Sequence, residues 1–295
     1  MMGWTRREAR QVNGMGRFAA RLVFPVLLSA MLCGPALADP PSYAVPERTL
    51  VANEARQGVA SDGAHVYAID NSRIVRYRLD DGAKVTEFNG DPGQFPHINS
   101  CTLIAPDLVC AASSYPAVPQ TGSVEFFDPL TLAHRRSVPL PQNPGSLTAV
   151  LRRDGQWWAA FAQYDGKGGV AGKSHRDTVI AEVDDNFAVT RSWTLPPSVL
   201  SRLAPHSISG LAWGADGKLY ASGHDKPEIY VLELPPQGSV LRHIATFATA
   251  TFGQAIDFDP KDPALLWSID RKSRTVVASR IPSLVPLPIP SPSKE

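Results

Sequence analysis

The chain has 295 residues, with 29 basic and 28 acidic side chains, 43% hydrophobic residues and three cysteines. This near-neutral balance leaves no electrostatic footprint for nucleic acid or for an anionic membrane surface. The length suits one well-cored domain once the N-terminal segment is set aside.

Residues 1–38 read as a secretory signal. Arg6, Arg7, Arg10, Arg17 and Arg21 precede an apolar run from Leu22 to Leu32, and Ala36-Leu37-Ala38 supplies the small residues needed for cleavage before Asp39. Met15 offers a second start with a more compact signal of the same kind. Cys33 suggests a lipid anchor, but Leu32 before it is large for a lipoprotein cleavage site, so soluble export to the periplasm or beyond is expected. Removing the segment's five arginines and one glutamate leaves 24 basic and 27 acidic side chains, a net charge of −3. Beyond it no apolar stretch approaches the roughly 20 residues of a spanning helix.

The remainder divides into five related segments that start about 40 to 60 residues apart, the period of propeller blades. In the first, β-rich runs cover 57–62, 65–69, 74–79 and 85–88. The second has 99–103, 108–112, 123–127 and 134–139; the third has 146–150, 157–161, 178–183 and 188–195. The fourth has 207–213, 218–222, 229–234 and 241–247, with a helical turn before it at 198–203. Asp62-Gly63, Asp154-Gly155 and Asp216-Gly217 supply tight turns between first and second strands. The fifth segment has only 254–258, 265–269 and 275–281, and the missing outer strand is available in 43–51, which would close the ring and cover an open edge. The expectation is therefore an all-β fold, a β-propeller of five four-stranded blades over 39–283, followed by a Pro-rich extended tail at 284–295. Six blades would require splitting the long third segment.

Cys101 and Cys110 flank Ala105-Pro106. A hairpin turning there sets them opposite each other on neighbouring strands, at a separation that suits a disulfide; two small buried thiols are the alternative.

A four-stranded blade sends its connections alternately to the two faces of the disc. One face receives plain turns such as Asp80-Asp81-Gly82 and Asp128-Pro129. The other receives the loops leading into each inner strand and those leaving each second strand. These bring Gln57, His97, Asn99, Tyr115, Tyr164, Asp165, His206, His224, Asp225 and Gln254 to one rim, so this face is the candidate functional surface. Polar residues also suit a water-filled channel with no ligand, and Asp225 near Pro227 can simply shape a turn. Histidines at such a rim exchange protons near neutral pH, so His97, His206 and His224 are the candidate catalytic residues; Gln57, Asn99, Tyr115, Tyr164, Asp165, Asp225 and Gln254 are the candidate ligand contacts. Several motifs are excluded. Gly168-Gly-Val-Ala-Gly-Lys-Ser174 mimics a phosphate loop but has Lys167 at the required first glycine, and no Gly-x-Ser-x-Gly, His-Glu-x-x-His or Cys-x-x-Cys occurs.

Glu54-Ala-Arg-Gln-Gly-Val-Ala60, Phe95-Pro-His-Ile-Asn-Ser100, Ser114-Tyr-Pro-Ala-Val-Pro119, Tyr164-Asp-Gly-Lys-Gly-Gly169 and Gly223-His-Asp-Lys-Pro-Glu-Ile-Tyr230 resemble segments of exported bacterial propellers labelled cycloisomerase-like, over nearly the whole mature chain. The resemblance implies a lactonase or cycloisomerase acting on a small sugar acid or cyclic ester. Lactonase-like propellers hold a divalent cation on acidic and amide side chains at the channel. Here the equivalent inner positions are mainly Gln, Asn, Ser and His, with Glu54, Asp165, Asp225 and Asp270 only nearby, so no clear metal-ligand motif and no cofactor follow. The other class of function is a non-catalytic periplasmic module whose polar funnel holds a small molecule or a partner protein. A monomer is expected in either case.

Overall fold

The computed structural model describes residues 43–284; the expected signal at 1–38, with Cys33, and the tail beyond 284 lie outside the described residues. Strands β1 (Val45–Val51), β2 (Gly58–Ser61), β3 (His65–Asp70), β4 (Arg73–Arg78) and β5 (Lys84–Asn89) are followed by β6 (Ile98–Ile104), β7 (Asp107–Ser113), β8 (Gly122–Phe127) and β9 (His134–Pro139). The third group is β10 (Ser146–Arg153), β11 (Gln156–Ala162), β12 (Val179–Val183) and β13 (Val189–Thr194), and after the helix α1 (Pro197–Leu203) come β14 (Gly210–Trp213), β15 (Leu219–Ser222), β16 (Glu228–Glu233) and β17 (Arg242–Ala248). β18 (Asp257–Phe258), β19 (Leu265–Asp270) and β20 (Thr275–Arg280) complete the described chain. They form five four-stranded antiparallel sheets, β2 to β5, β6 to β9, β10 to β13, β14 to β17, and β18-β19-β20-β1: a five-bladed propeller. Among the described residues no helix is long and apolar enough to cross a membrane.

Local chemistry explains the blades. The Arg153 and Gln156 backbones pair across Asp154-Gly155, where φ is 50° and 81°, the left-handed pair that a two-residue hairpin turn requires. The second strands β3, β7 and β11 are buried almost throughout because each lies between neighbouring blades, and they read as continuous apolar runs. Outer strands β5 and β9 are largely exposed and carry Lys84, Glu87, Arg135 and Arg136, charges that discourage pairing with another chain. Burial falls into five apolar clusters, and each draws on two adjacent blades. The largest side chains, such as Trp158 stacked on Trp193 at 5.5 Å, fill those wedges, so every blade is stabilised chiefly by its neighbours.

Ring closure follows the expected route. β1 runs antiparallel to β20, with Thr49 opposite Val277 and Val51 opposite Thr275, and an Arg280–Glu47 ion pair ties the two ends. The inner strands crowd round the channel: a Cβ on Gly58 would stand 2.4 Å from that of Ala255, so only glycine fits there. Cys101 pairs with Cys110 and Ile104 with Asp107 across the Ala105-Pro106 turn, and the two cysteines form a disulfide, a bond consistent with an extracellular location.

Candidate functional site

A cavity of about 450 Å³ opens on the face that collects the loops into the inner strands and out of the second strands. His97, His206 and His224 line it, with Gln57, Asn99 and Gln254 deeper and Tyr115 and Tyr164 on one wall. Asp225 stands behind two of the histidines. Asp165 is absent from the lining; it is turned away towards His175. Arg56, Lys167 and Arg271 also line the cavity, and no carboxylate does. These three cations were missing from the sequence-based set although their loops had been assigned to this face, since an arginine in a surface loop reads as solvated until its neighbours are known.

The walls are set by specific local constraints. Gly168 has φ 78°, and a Cβ there would lie 2.5 Å from the Tyr115 ring, so this glycine lets the loop over 163–178 close onto the aromatic wall. Tyr115 meets Tyr164 edge-on at 5.2 Å and lies tilted against His97 at 5.1 Å. Burial pushes the Tyr164 hydroxyl up to about 12, so it is a neutral donor at physiological pH. Asp165 braces this wall: its carboxylate accepts the His175 N–H at 2.8 Å and lies 2.7 Å from His175 Nδ1, while its own N–H donates to Pro205 O at 3.0 Å, next to His206. A short 3₁₀ turn (His175–Asp177), absent from the expected elements and closed by a Ser174/Asp177 capping box, presents His175 to it. Gln254 has φ 72°, a costly conformation for a side chain of its size, held by its N–H to Gly223 O at 3.0 Å. Asn99 spends its amide hydrogens on Ser113 Oγ at 2.9 Å and Leu147 O at 2.7 Å, joining two blades beneath the cavity.

The histidines are the chemical centre. Burial pushes His97 down to about 4, so it is neutral at pH 7. His206 and His224, from different loops, lie tilted against each other with ring centroids 4.0 Å apart. Asp225 bridges them, Oδ2 lying 2.7 Å from His206 Nδ1 and Oδ1 2.7 Å from His224 Nδ1. Arg271 donates from Nη1 to His224 Nε2 at 2.9 Å. A guanidinium has no acceptor, so His224 Nε2 is unprotonated and Nδ1 carries the proton given to Asp225. Burial raises the Asp225 carboxyl, but the hydrogen bonds from His224 and His206 outweigh it and hold the group below the usual range. The bond to Asp225 sets the His206 tautomer in the same way, with the proton on Nδ1 and a lone pair on Nε2 that has no partner among the described residues.

The metal implied by lactonase-like propellers does not fit. Glu54 accepts from the Tyr77 hydroxyl and faces Arg73, Asp165 is bound to His175, and Asp270 caps its own turn through Lys272 N and Ser273 Oγ. His206, His224 and Asp225 do bring three ligating atoms within 4.8 Å of one another. Arg271 keeps the His224 proton on Nδ1, however, where a cation would need a lone pair, and it adds positive charge beside the group.

Neither a family model nor a curated protein sequence matches the chain. Among solved structures, the chain is similar to the PQQ-bound aldose sugar dehydrogenase of Streptomyces coelicolor, at 14% identity over 81% of each chain and a TM-score of 0.50. It is also similar to the virginiamycin B lyase of Staphylococcus aureus, at 13% identity over 76% of this chain and 67% of that one, with a TM-score of 0.42. Likeness at this level carries the fold and nothing of the chemistry: the chain is a β-propeller with distant enzyme neighbours.

Proposed function

We propose that this protein is an exported enzyme of the lactonase or cycloisomerase kind, which takes a small sugar acid or its cyclic ester into the cavity. The observation that carries the reading is the lining itself: Arg56, Lys167 and Arg271 with no carboxylate among the lining residues, beside a histidine held by a carboxylate. Such a lining selects an anion. The Tyr115 and Tyr164 rings offer a face to a sugar ring, and Gln57 and Gln254 suit hydroxyl groups.

His206 Nε2 is the proton acceptor, and Asp225 is the positioning residue that fixes its tautomer and stabilises the imidazolium formed. In lactone opening, water gives a proton to Nε2 as its oxygen bonds to the carbonyl carbon. The ring C–O bond then breaks and the departing oxygen takes the proton back from the imidazolium. Arg271 and Arg56 face the negative charge that develops on the carbonyl oxygen. The resemblance to cycloisomerase-like propellers and the Cys101–Cys110 disulfide support export and this substrate class.

A thermal-shift screen of hexonates, hexuronates, their lactones and matched neutral sugars tests the reading, followed by turnover assays on any lactone bound. The acids stabilise the wild type and the neutral sugars do not; Arg271→Ala abolishes the effect. His206→Gln keeps ligand binding and loses at least about a hundredfold in turnover, the scale of general base catalysis. An acid that stabilises wild type and Arg271→Ala equally places the site elsewhere. Binding with no turnover of any bound lactone by the wild type makes the protein a binding module.

A further inference from the structure

Beside the cavity, and sharing Arg56, His224 and Arg271 with it, lies a second open depression of about 530 Å³, whose other lining includes Phe252, Lys272 and Arg274. It is carried by the turn between β19 and β20 and by the loop into β18. Four cations line it with two carboxylates, Asp225 and Asp270, whose oxygens already accept hydrogen bonds. Asp225 is bound by two imidazoles, and Asp270 accepts from Lys272 N at 2.9 Å and Ser273 Oγ at 2.8 Å. Arg56 reaches Asp70 only at 3.6 Å, and Arg274 reaches a single backbone carbonyl, Asn53 O, at 3.4 Å. Burial and then repulsion from Arg56 and Arg274 lower the Arg271 guanidinium against the opposing pull of Asp225, so the four cations outnumber the two carboxylates, Asp225 and Asp270, that line the depression with them. Phe252 is 47% exposed in its midst, with Lys272 Nζ 5.4 Å from its ring centroid.

We propose that this groove is a second sugar subsite and that the ligand is an oligomer of uronic acids, one unit in the cavity and the next stacked on Phe252 with its carboxylate on Arg56, Arg271 and Arg274. This rests on the cavity reading above. An exposed aromatic ring offers the flat apolar face that a pyranose covers, and Arg56 and Arg271 line both depressions while Lys272 and Arg274 line only the second. A repeated anion such as a polyuronate matches cations that continue from one depression into the next. An acidic peptide would satisfy the charge but has no ring for Phe252.

Calorimetry on the whole protein with galacturonate, digalacturonate and trigalacturonate tests this, against a neutral galacto-oligosaccharide of matched length and triglutamate. In the wild type the trimer binds at least about tenfold tighter than the monomer, the scale of one added stacking and ion-pair contact. Phe252→Ala and Arg274→Ala each remove that gain and leave monomer affinity unchanged. A monomer that binds as tightly as the trimer overturns the second subsite while the cavity reading stands. Failure of every acid to bind overturns both. Triglutamate binding as tightly as trigalacturonate overturns the carbohydrate assignment, and an equal length gain with the neutral oligomer overturns the role of the cations.

Discussion

Both faces of the disc carry histidine–aspartate pairs, and they differ in what the rest of the network does. On the face away from the cavity, Asp62 accepts from Ala64 N at 2.8 Å, from His65 N at 2.6 Å and from Tyr67 OH at 3.1 Å, and it pairs with Arg76. Arg76 in turn donates to His65 Nδ1 at 2.9 Å. That network sits at the seam with the second blade, where the Tyr67 hydroxyl lies 3.0 Å from Pro129 O. On the cavity face, Asp225 holds His206 and His224, but His206 Nε2 has no hydrogen-bond partner among the described residues, and Arg56, Lys167 and Arg271 line the same cavity with no carboxylate in its wall. The same residue pair is structural where a buried arginine and a tyrosine enclose it and chemical where a ring nitrogen is left beside a cavity.

The largest expected effect breaks the structural pair. Asp62→Ala leaves the buried Arg76, 9% exposed in its side chain, without its carboxylate and removes the Tyr67 contact, and unfolding free energy falls by about 3 kcal/mol. Asp225→Ala, whose side chain is 41% exposed, lowers it by less than about 1 kcal/mol yet costs turnover while ligand stabilisation is kept. Denaturant melts and turnover assays check both; equal stability losses in the two variants would erase the distinction between the faces.

Next comes the disulfide, which braces the hairpin that turns on the face away from the cavity. Cys101→Ala with Cys110→Ala frees a loop whose ends are 9 residues apart, at a cost of about 2–3 kcal/mol by loop-closure entropy, with ligand affinity in the remaining folded protein unchanged. Affinity falling with stability would mean that the hairpin shapes the cavity.

The smallest effect is in pH. His97, on the cavity face, has its folded value pushed down to about 4 from 6.5, so between those limits the unfolded chain binds more protons and stability falls as pH drops. Asp257, on the channel wall below and held by Ser61 N and Thr102 Oγ1, is pushed up to about 7 by burial. It gives the opposite slope over nearly the same window, since its folded form holds the proton that the unfolded form has lost. The two offset each other in the wild type. Comparing wild type with His97→Gln at pH 7 and pH 4 shows the variant gaining about 1–2 kcal/mol relative to wild type at the acid end. A difference independent of pH would mean that His97 is charged in the fold or as solvated as in the unfolded chain.

Where backbone periodicity sets geometry, the sequence was readable. The Asp-Gly turns, the alternating strands and the fifth segment's missing strand led to five blades closed by Val45–Val51, and the two-residue turn at Ala105-Pro106 fixed the cysteine register. The loop assignments also brought His97, His206 and His224 to one cavity. Side-chain direction inside loops follows no period, and there the reading ran out. Asp165 looked like a ligand contact, but the backbone N–H of His175, presented by a capped turn within the long loop, claims it. That Asp225 would join two histidines 18 residues apart in sequence depends on how two loops fold over each other, as does the gathering of Arg56 and Arg271 beside them.

The central claim is most directly tested by long-range ¹H–¹⁵N correlation of the imidazole groups at pH 7.5, with and without galacturonate. The account predicts His206 with its proton on Nδ1 and an unbonded Nε2 whose resonance moves on adding the acid. The resonances of His65, His134 and His243, whose ring nitrogens already have partners on the other side of the molecule or at its edge, stay fixed. A His206 protonated on Nε2, or an acid that moves His65 and leaves His206 where it was, would contradict it.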